Sequence, residues 1–150
     1  MIRPAILADA QTIRACSRAA FARYVGRMGR EPAPMQTDPA AAIVAAEAYV
    51  ATGPDGRILG HVICRHAGGD MVLDTLAVWP DDAGRGVGKR LVAHVEALAR
   101  QQGLDAVTLY TNAAMTENLP FYESLGYTRI ARQMQDGFDR VFFRKSLSAG

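Results

Sequence analysis

Several signals of special architecture are missing from this chain. Among its 150 residues are two cysteines, Cys16 and Cys64, with no CxxC pair and only His61, His66 and His94 to join them. Neither a disulfide framework nor a zinc site is therefore indicated, and the cysteines read as buried free thiols in a reducing compartment. No apolar run approaches the ~18 residues of a membrane span, and residues 1–10 carry Asp9 without the apolar centre of a signal peptide. A cytoplasmic protein with no membrane partner is expected. Charge of one sign is also scarce, since 17 basic and 15 acidic side chains leave +2. That is too little for the broad positive field of a nucleic-acid binder.

What is present suits one ordinary domain over residues 1–150. The chain is 49% hydrophobic and 21% charged, a balance typical of globular proteins. Ile2, Ala5, Ile6 and Leu7 predict a short opening strand. Asp9 then caps a helix whose Ile13, Cys16, Ala20, Phe21 and Tyr24 recur at helical spacing. The opposite face carries Arg14, Arg18, Arg23 and Arg27, with Arg30 beyond, a solvated row that also suits an acidic substrate. Residues 26–39 hold three prolines and two glycines and read as a long loop of the kind that lids a substrate. Asp38 and Pro39 open an alanine-rich second helix.

From residue 49 the apolar period becomes two. Residues 49–52, 58–66 and 71–79, separated by Pro54-Asp55-Gly56 and Gly68-Gly69, predict an antiparallel meander. A glycine-rich loop over 83–88 leads into a helix with Val87, Leu91, Val95 and Leu98 on one face, closed by Gly103 as a left-handed cap. A strand over 106–110 follows, then a short helix stopped by Gly126, and a hairpin of residues 127–134 and 138–145 turning at Asp136-Gly137. The order predicts an α/β fold: a mixed, mostly antiparallel central sheet of about seven strands, helices on both faces, and one parallel pair. Phe138, Val141, Phe142 and Phe143 read as core, with a homodimer surface as the alternative.

Gly84-Arg85-Gly86-Val87-Gly88-Lys89 sets three glycines before a helix, so backbone N–H groups and the helix dipole can converge on a phosphate or pyrophosphate. A Walker A loop fails, because Ala83 and Arg90 stand where glycine and serine or threonine are required. The dinucleotide pattern GxGxxG fails as well, since Lys89 occupies the third glycine position.

Residues 80–91, followed by Phe121-Tyr122-Glu123-Ser124-Leu125-Gly126-Tyr127, resemble the GCN5-related N-acetyltransferase family, whose coenzyme loop reads Q/R-x-x-G-x-G/A. The likeness covers nearly the whole chain. It implies acetyl-coenzyme A as acyl donor and no metal. The pyrophosphate would rest on the amides of residues 85–89 after Gly84, with the pantetheine arm along Leu76, Ala77 and Val78, where the parallel strands splay. Arg85 and Lys89 would add charge, and Asn118 would reach the arm or cap the following helix. By the same resemblance, Tyr122 protonates the departing thiolate and the N–H of Leu76 or Ala77 steadies the oxyanion.

The sequence departs from the family pattern twice. Ala83 stands where glutamine or arginine opens the loop. Met115 stands where an asparagine often precedes the last helix, leaving Asn112 or Asn118 for that work. Val72 stands where some relatives carry a glutamate; Asp74, two residues on and on the same pleat face, either accepts the amine proton or pairs with an arginine on a neighbouring strand. The expected reaction is acetyl transfer to a primary amine of a small molecule or a protein N-terminus. The alternative is a catalytically silent acyl-coenzyme A sensor or interaction module.

Overall fold

The apolar period turns from helical spacing to alternation at residue 48 in the computed structural model, which describes residues 1–35 and 37–147. The elements are β1 (Ile2–Pro4), α1 (Ala10–Met28), α2 (Ala40–Val44), β2 (Ala48–Thr52), β3 (Ile58–Ala67), β4 (Asp70–Val78), α3 (Val87–Gln101), β5 (Ala106–Asn112), α4 (Asn118–Ser124), β6 (Thr128–Gln135) and β7 (Phe138–Ser146). Strands pair in the order β1-β2-β3-β4-β5-β7-β6. β4 and β5 run parallel, while β1–β2, β2–β3, β5–β7 and β6–β7 run antiparallel. This is the mixed seven-stranded sheet that the order of elements predicts.

Local chemistry moves some boundaries. The opening strand stops at Pro4, and Leu7 lies in a 3-10 turn, Leu7–Asp9, instead of the strand. Asp9 holds the N-cap position of α1 but gives that helix no side-chain cap. Its carboxylate instead accepts Arg3 Nη1 at 2.8 Å and the Ile6 N–H at 2.9 Å, which fixes the turn and holds its own pKa low through the Arg3 bond. α1 runs through Gly26 to Met28, and Gly29 at φ +72° ends it by donating to the Val25 carbonyl. The long loop is correspondingly shorter, and it contains a 3-10 turn, Ala33–Met35; residue 36 lies outside the described residues. Asp38 accepts the Ala40 N–H at 3.0 Å, one residue before Pro39, which holds the N-cap position of α2.

The chain groups into two compact units, Met1–Cys64 with Thr75–His94, and Arg65–Asp74 with Val95–Gly150. In the first, Ile13 of α1 joins Ala5, Ile43, Ala48, Val50, Ile58 and Ile63 in one apolar cluster. Each isoleucine or valine of the cluster contributes about 1.5–3 kcal/mol by leaving water. A buried polar pair also lies in this unit: Ser17 Oγ sits 3.1 Å from Nε2 of His61, which is fully buried. Burial pushes the His61 pKa down to about 4.

In the second unit β7 lies between β5 and β6, each with an antiparallel ladder to it. The β6–β7 turn places Asp136 at φ +52° and Gly137 at φ +80°, the left-handed pair of a two-residue I′ hairpin. Phe138, Val141 and Phe143 are buried, as the core reading of this hairpin expects, whereas half-buried Phe142 stacks on Tyr110 at 5.6 Å. A buried charge cluster ties the unit's ends together. Glu96 accepts Tyr127 Oη and Lys145 Nζ, each at 3.0 Å, and Lys145 also reaches the Leu125 carbonyl at 2.8 Å.

Candidate active site

Glycines make the loop before α3. Gly84 at φ +81° and Gly86 at φ +80° adopt the left-handed region that side-chain-bearing residues rarely enter. Residues 83–86 are exposed. Gly86 O accepts the Arg90 N–H at 3.1 Å, the first α-helical bond of α3. The amides of Val87, Gly88 and Lys89 therefore belong to the first turn, which has no intrahelical acceptors. With the positive end of the helix dipole, they form a cradle suited to an anion.

Asp82, which sequence reasoning passed over, anchors this loop from below. It is 1% exposed, and its Oδ1 accepts Arg57 Nη2 at 2.9 Å with Arg85 Nη1 at 3.6 Å. An acid so close to an anion cradle would repel the anion if it faced outward; here it is turned inward. The Arg85 guanidinium leans toward Asp82 and the Lys89 side chain is exposed, so the cradle's fixed donors are backbone groups. The exposed Ala83 brings no side-chain donor, in keeping with that division of labour.

β4 supplies the second feature. Its parallel ladder with β5 runs from Asp70–Ala106 to Leu73–Leu109, although β4 continues to Val78. Among the described residues, 74–78 carry no ladder pair to β5, so that edge of β4 has backbone N–H and C=O groups to offer a ligand. Leu76, Ala77 and Val78 lie on this stretch, with Ala77 buried. Gly60 of β3 backs it. A Cβ at Gly60 would lie 2.7 Å from the Ala77 carbonyl oxygen and 3.2 Å from Val78 Cα, closer than backbone tolerates. No periodicity argument could have found Gly60, because its neighbour is distant in sequence.

In the second unit Tyr122 of α4 is 5% exposed and set against aromatic edges: Phe121 at 5.0 Å, Tyr127 at 5.8 Å and Phe143 at 5.9 Å between centroids. Asn118 does not cap α4, whose N-cap position belongs to Glu117. Its Nδ2 instead donates to Thr111 Oγ1 at 3.1 Å and approaches Met115 Sδ at 3.7 Å, so its main local role is to tie the start of α4 to β5. Asn112 shapes the intervening loop by accepting the Ala114 N–H at 2.9 Å. Asp74 takes the arginine partner that the sequence left as one of two readings: Arg65 Nε donates to its Oδ2 at 2.9 Å. Burial raises the Asp74 pKa, and Arg65 opposes that rise.

Among the described residues no group of three or more His, Cys, Asp and Glu side chains is arranged to hold a metal ion, and no helix is long and apolar enough to cross a membrane.

A family model described as Acetyltransferase (GNAT) family matches residues 15–127. A mycothiol acetyltransferase of Arthrobacter sp. (strain FB24) is 31% identical over 134 residues, 81% of this chain and 40% of that protein. The chain thus spans about two fifths of the length of that curated relative. Among solved structures, the PaiA N-acetyltransferase of Thermoplasma acidophilum in complex with coenzyme A superposes with a TM-score of 0.82 at 18% identity, covering 97% of this chain and 98% of that one. A GCN5-related N-acetyltransferase from Rhodopseudomonas palustris gives 0.77 at 25% identity, covering 97% and 94%.

Proposed function

Because the chain belongs to the GNAT acetyltransferase family, we propose that it moves an acetyl group from acetyl-coenzyme A to a primary amine by direct attack. The observation that carries this reading is the stretch of β4 that runs on past its last β5 pair at Leu73. An amide-rich pantetheine arm is the kind of ligand that can use such a strand edge, and the amides of residues 85–89, with Gly84, suit the diphosphate at its other end.

The amine nitrogen attacks the thioester carbonyl carbon, charge gathers on the carbonyl oxygen, the C–S bond breaks and the thiolate takes a proton. The N–H of Leu76 or Ala77 is the proposed oxyanion donor, and Tyr122 the proposed proton source. Asp74 is the proposed base for the amine proton. Its Oδ1 has no hydrogen-bond partner among the described residues, while Arg65 holds Oδ2. Asn118 Oδ1 is proposed to meet the arm, its Nδ2 being held by Thr111.

Thermal shift against acetyl-coenzyme A, ATP and NAD tests the cradle first, because a ligand that binds the native state raises Tm. Acetyl-coenzyme A alone should raise it substantially. Release of free thiol across an amine panel, with a mycothiol-related acceptor as one arm, tests transfer. Equal shifts by all three nucleotides would overturn the donor assignment. A strong shift by acetyl-coenzyme A with no turnover on any amine would favour the silent sensor, in which Arg65 keeps Asp74 from acting as a base.

A further inference from the structure

A narrow recess opens in the first unit where α1, the 29–39 loop, β3 and β4 meet. Its volume is about 10 Å³, room for the centre of a water-sized group, and its polar lining comes from Arg14, Ser17, Thr37 and Thr75, set against Ile13 and Ile63. That volume holds one oxygen-sized group. Thr75 directly precedes Leu76, so the recess adjoins the β4 stretch to which acyl transfer is assigned above.

Donors stand out in the polar part of the lining. Arg14 is exposed and has no ion pair among the described residues, and its guanidinium offers up to five N–H groups. Ser17 is 5% exposed and lies 3.1 Å from His61 Nε2. His61 Nδ1 is buried without a partner among the described residues. A neutral imidazole carries one N–H, and an orphaned buried donor is rarer than a bare lone pair. The proton therefore belongs on Nε2, where it donates to Ser17 Oγ, and the Ser17 hydroxyl hydrogen is left to point elsewhere. Thr75 adds a further hydroxyl, the Thr37 hydroxyl already donates to the Ala33 carbonyl at 3.1 Å, and no carboxylate lines the recess. An arginine and the Ser17 and Thr75 hydroxyls around space for one oxygen match one arm of a carboxylate, with the second oxygen left for the Arg14 fork.

We propose that this recess is an acceptor subsite for a carboxylate, making the preferred substrate an amine that carries one, such as an amino acid or an acidic peptide. The proposal rests on the acyl-transfer reading for its function but not for its binding chemistry. Two measurements keep them apart. First, calorimetric titration with a short dicarboxylate lacking any amine reports the subsite alone. Wild type should bind it, and Arg14→Gln should weaken binding at least tenfold, with Ser17→Ala weakening it less. Second, kcat/KM for ω-amino acids against alkylamines of equal length reports selectivity. Wild type should favour the carboxylate-bearing partner at least tenfold, and Arg14→Gln should bring the ratio near one. Carboxylate binding without transfer to any amine would leave the subsite standing and sink the transfer reading. Transfer with equal use of both amines, or a preference that survives Arg14→Gln, would overturn the subsite, as would a dicarboxylate that wild type does not bind.

Discussion

A phenol with an ordinary pKa near ~10 protonates a thiolate whose conjugate acid lies near ~8.5 only when the two are held in place. The aromatic edges around Tyr122 supply rigidity on the protein side. Tyr122→Phe removes one oxygen and keeps the packing, so kcat should fall about 100-fold while the calorimetric affinity for acetyl-coenzyme A stays within twofold. An unchanged kcat, with chemistry rate-limiting, removes the tyrosine from the mechanism. Asp74→Asn keeps a hydrogen-bond acceptor for Arg65 and abolishes the base. Its kcat should fall at least tenfold with thermal stability nearly unchanged, and retained kcat would leave Asp74 only its pairing role with Arg65. At this scale the sequence was informative where a motif spans neighbours, as with Tyr122 and the glycine loop. It was silent where function depends on a spatial neighbour: nothing near Asp82 announces Arg57, and Asn118 looked like a cap until Thr111 was seen to hold it.

Elements respond to backbone constraints that side-chain periodicity does not encode. β4 and its loop show this twice. In Gly60→Ala the new Cβ would meet the Ala77 carbonyl oxygen at 2.7 Å, so β4 must move away from β3 or twist locally. A stability loss of about 1–3 kcal/mol is expected for such overpacking. Because the displaced residues are those proposed to carry the arm, the KM for acetyl-coenzyme A should rise at least tenfold; stability lost with KM unchanged would make Gly60 purely structural. Gly86→Ala forces a side chain into φ +80° at about 1–2 kcal/mol. It should reduce the thermal shift given by acetyl-coenzyme A far more than it lowers the Tm of the free protein. The left-handed caps at Gly103 and Gly126 could be read from sequence because helical periodicity stops beside them. The end of α1 was not legible: prolines and glycines make residues 26–39 read as a loop, whereas the helix runs through Gly26 and only Gly29 turns left-handed to end it.

Stability of the whole chain carries a titration signature. His61 falls from 6.5 unfolded to about 4 folded through burial, so between those values the unfolded chain holds a proton that the native one does not. Acid therefore favours unfolding: the His61 contribution is intact above pH 6.5 and is lost as pH falls toward 4, by up to about 3 kcal/mol. Urea midpoints measured between pH 7 and 4 should fall steeply in wild type and less steeply in His61→Gln, and parallel slopes would show that the imidazole charges without cost. The sheet's composition was legible from strand count and spacing, and its parallel pair from the intervening helix. The insertion of β7 between β5 and β6 was not, since a hairpin's alternation is the same whichever strand lies inward. The grouping of the chain also interleaves, with the first unit made of Met1–Cys64 and Thr75–His94. During translation, residues 65–74 leave the ribosome before the first unit is complete, and that unit has all its residues only once His94 has emerged. A nascent chain stalled before that point lacks the full complement of either unit, so the first unit closes only after residues that belong to the second have been made.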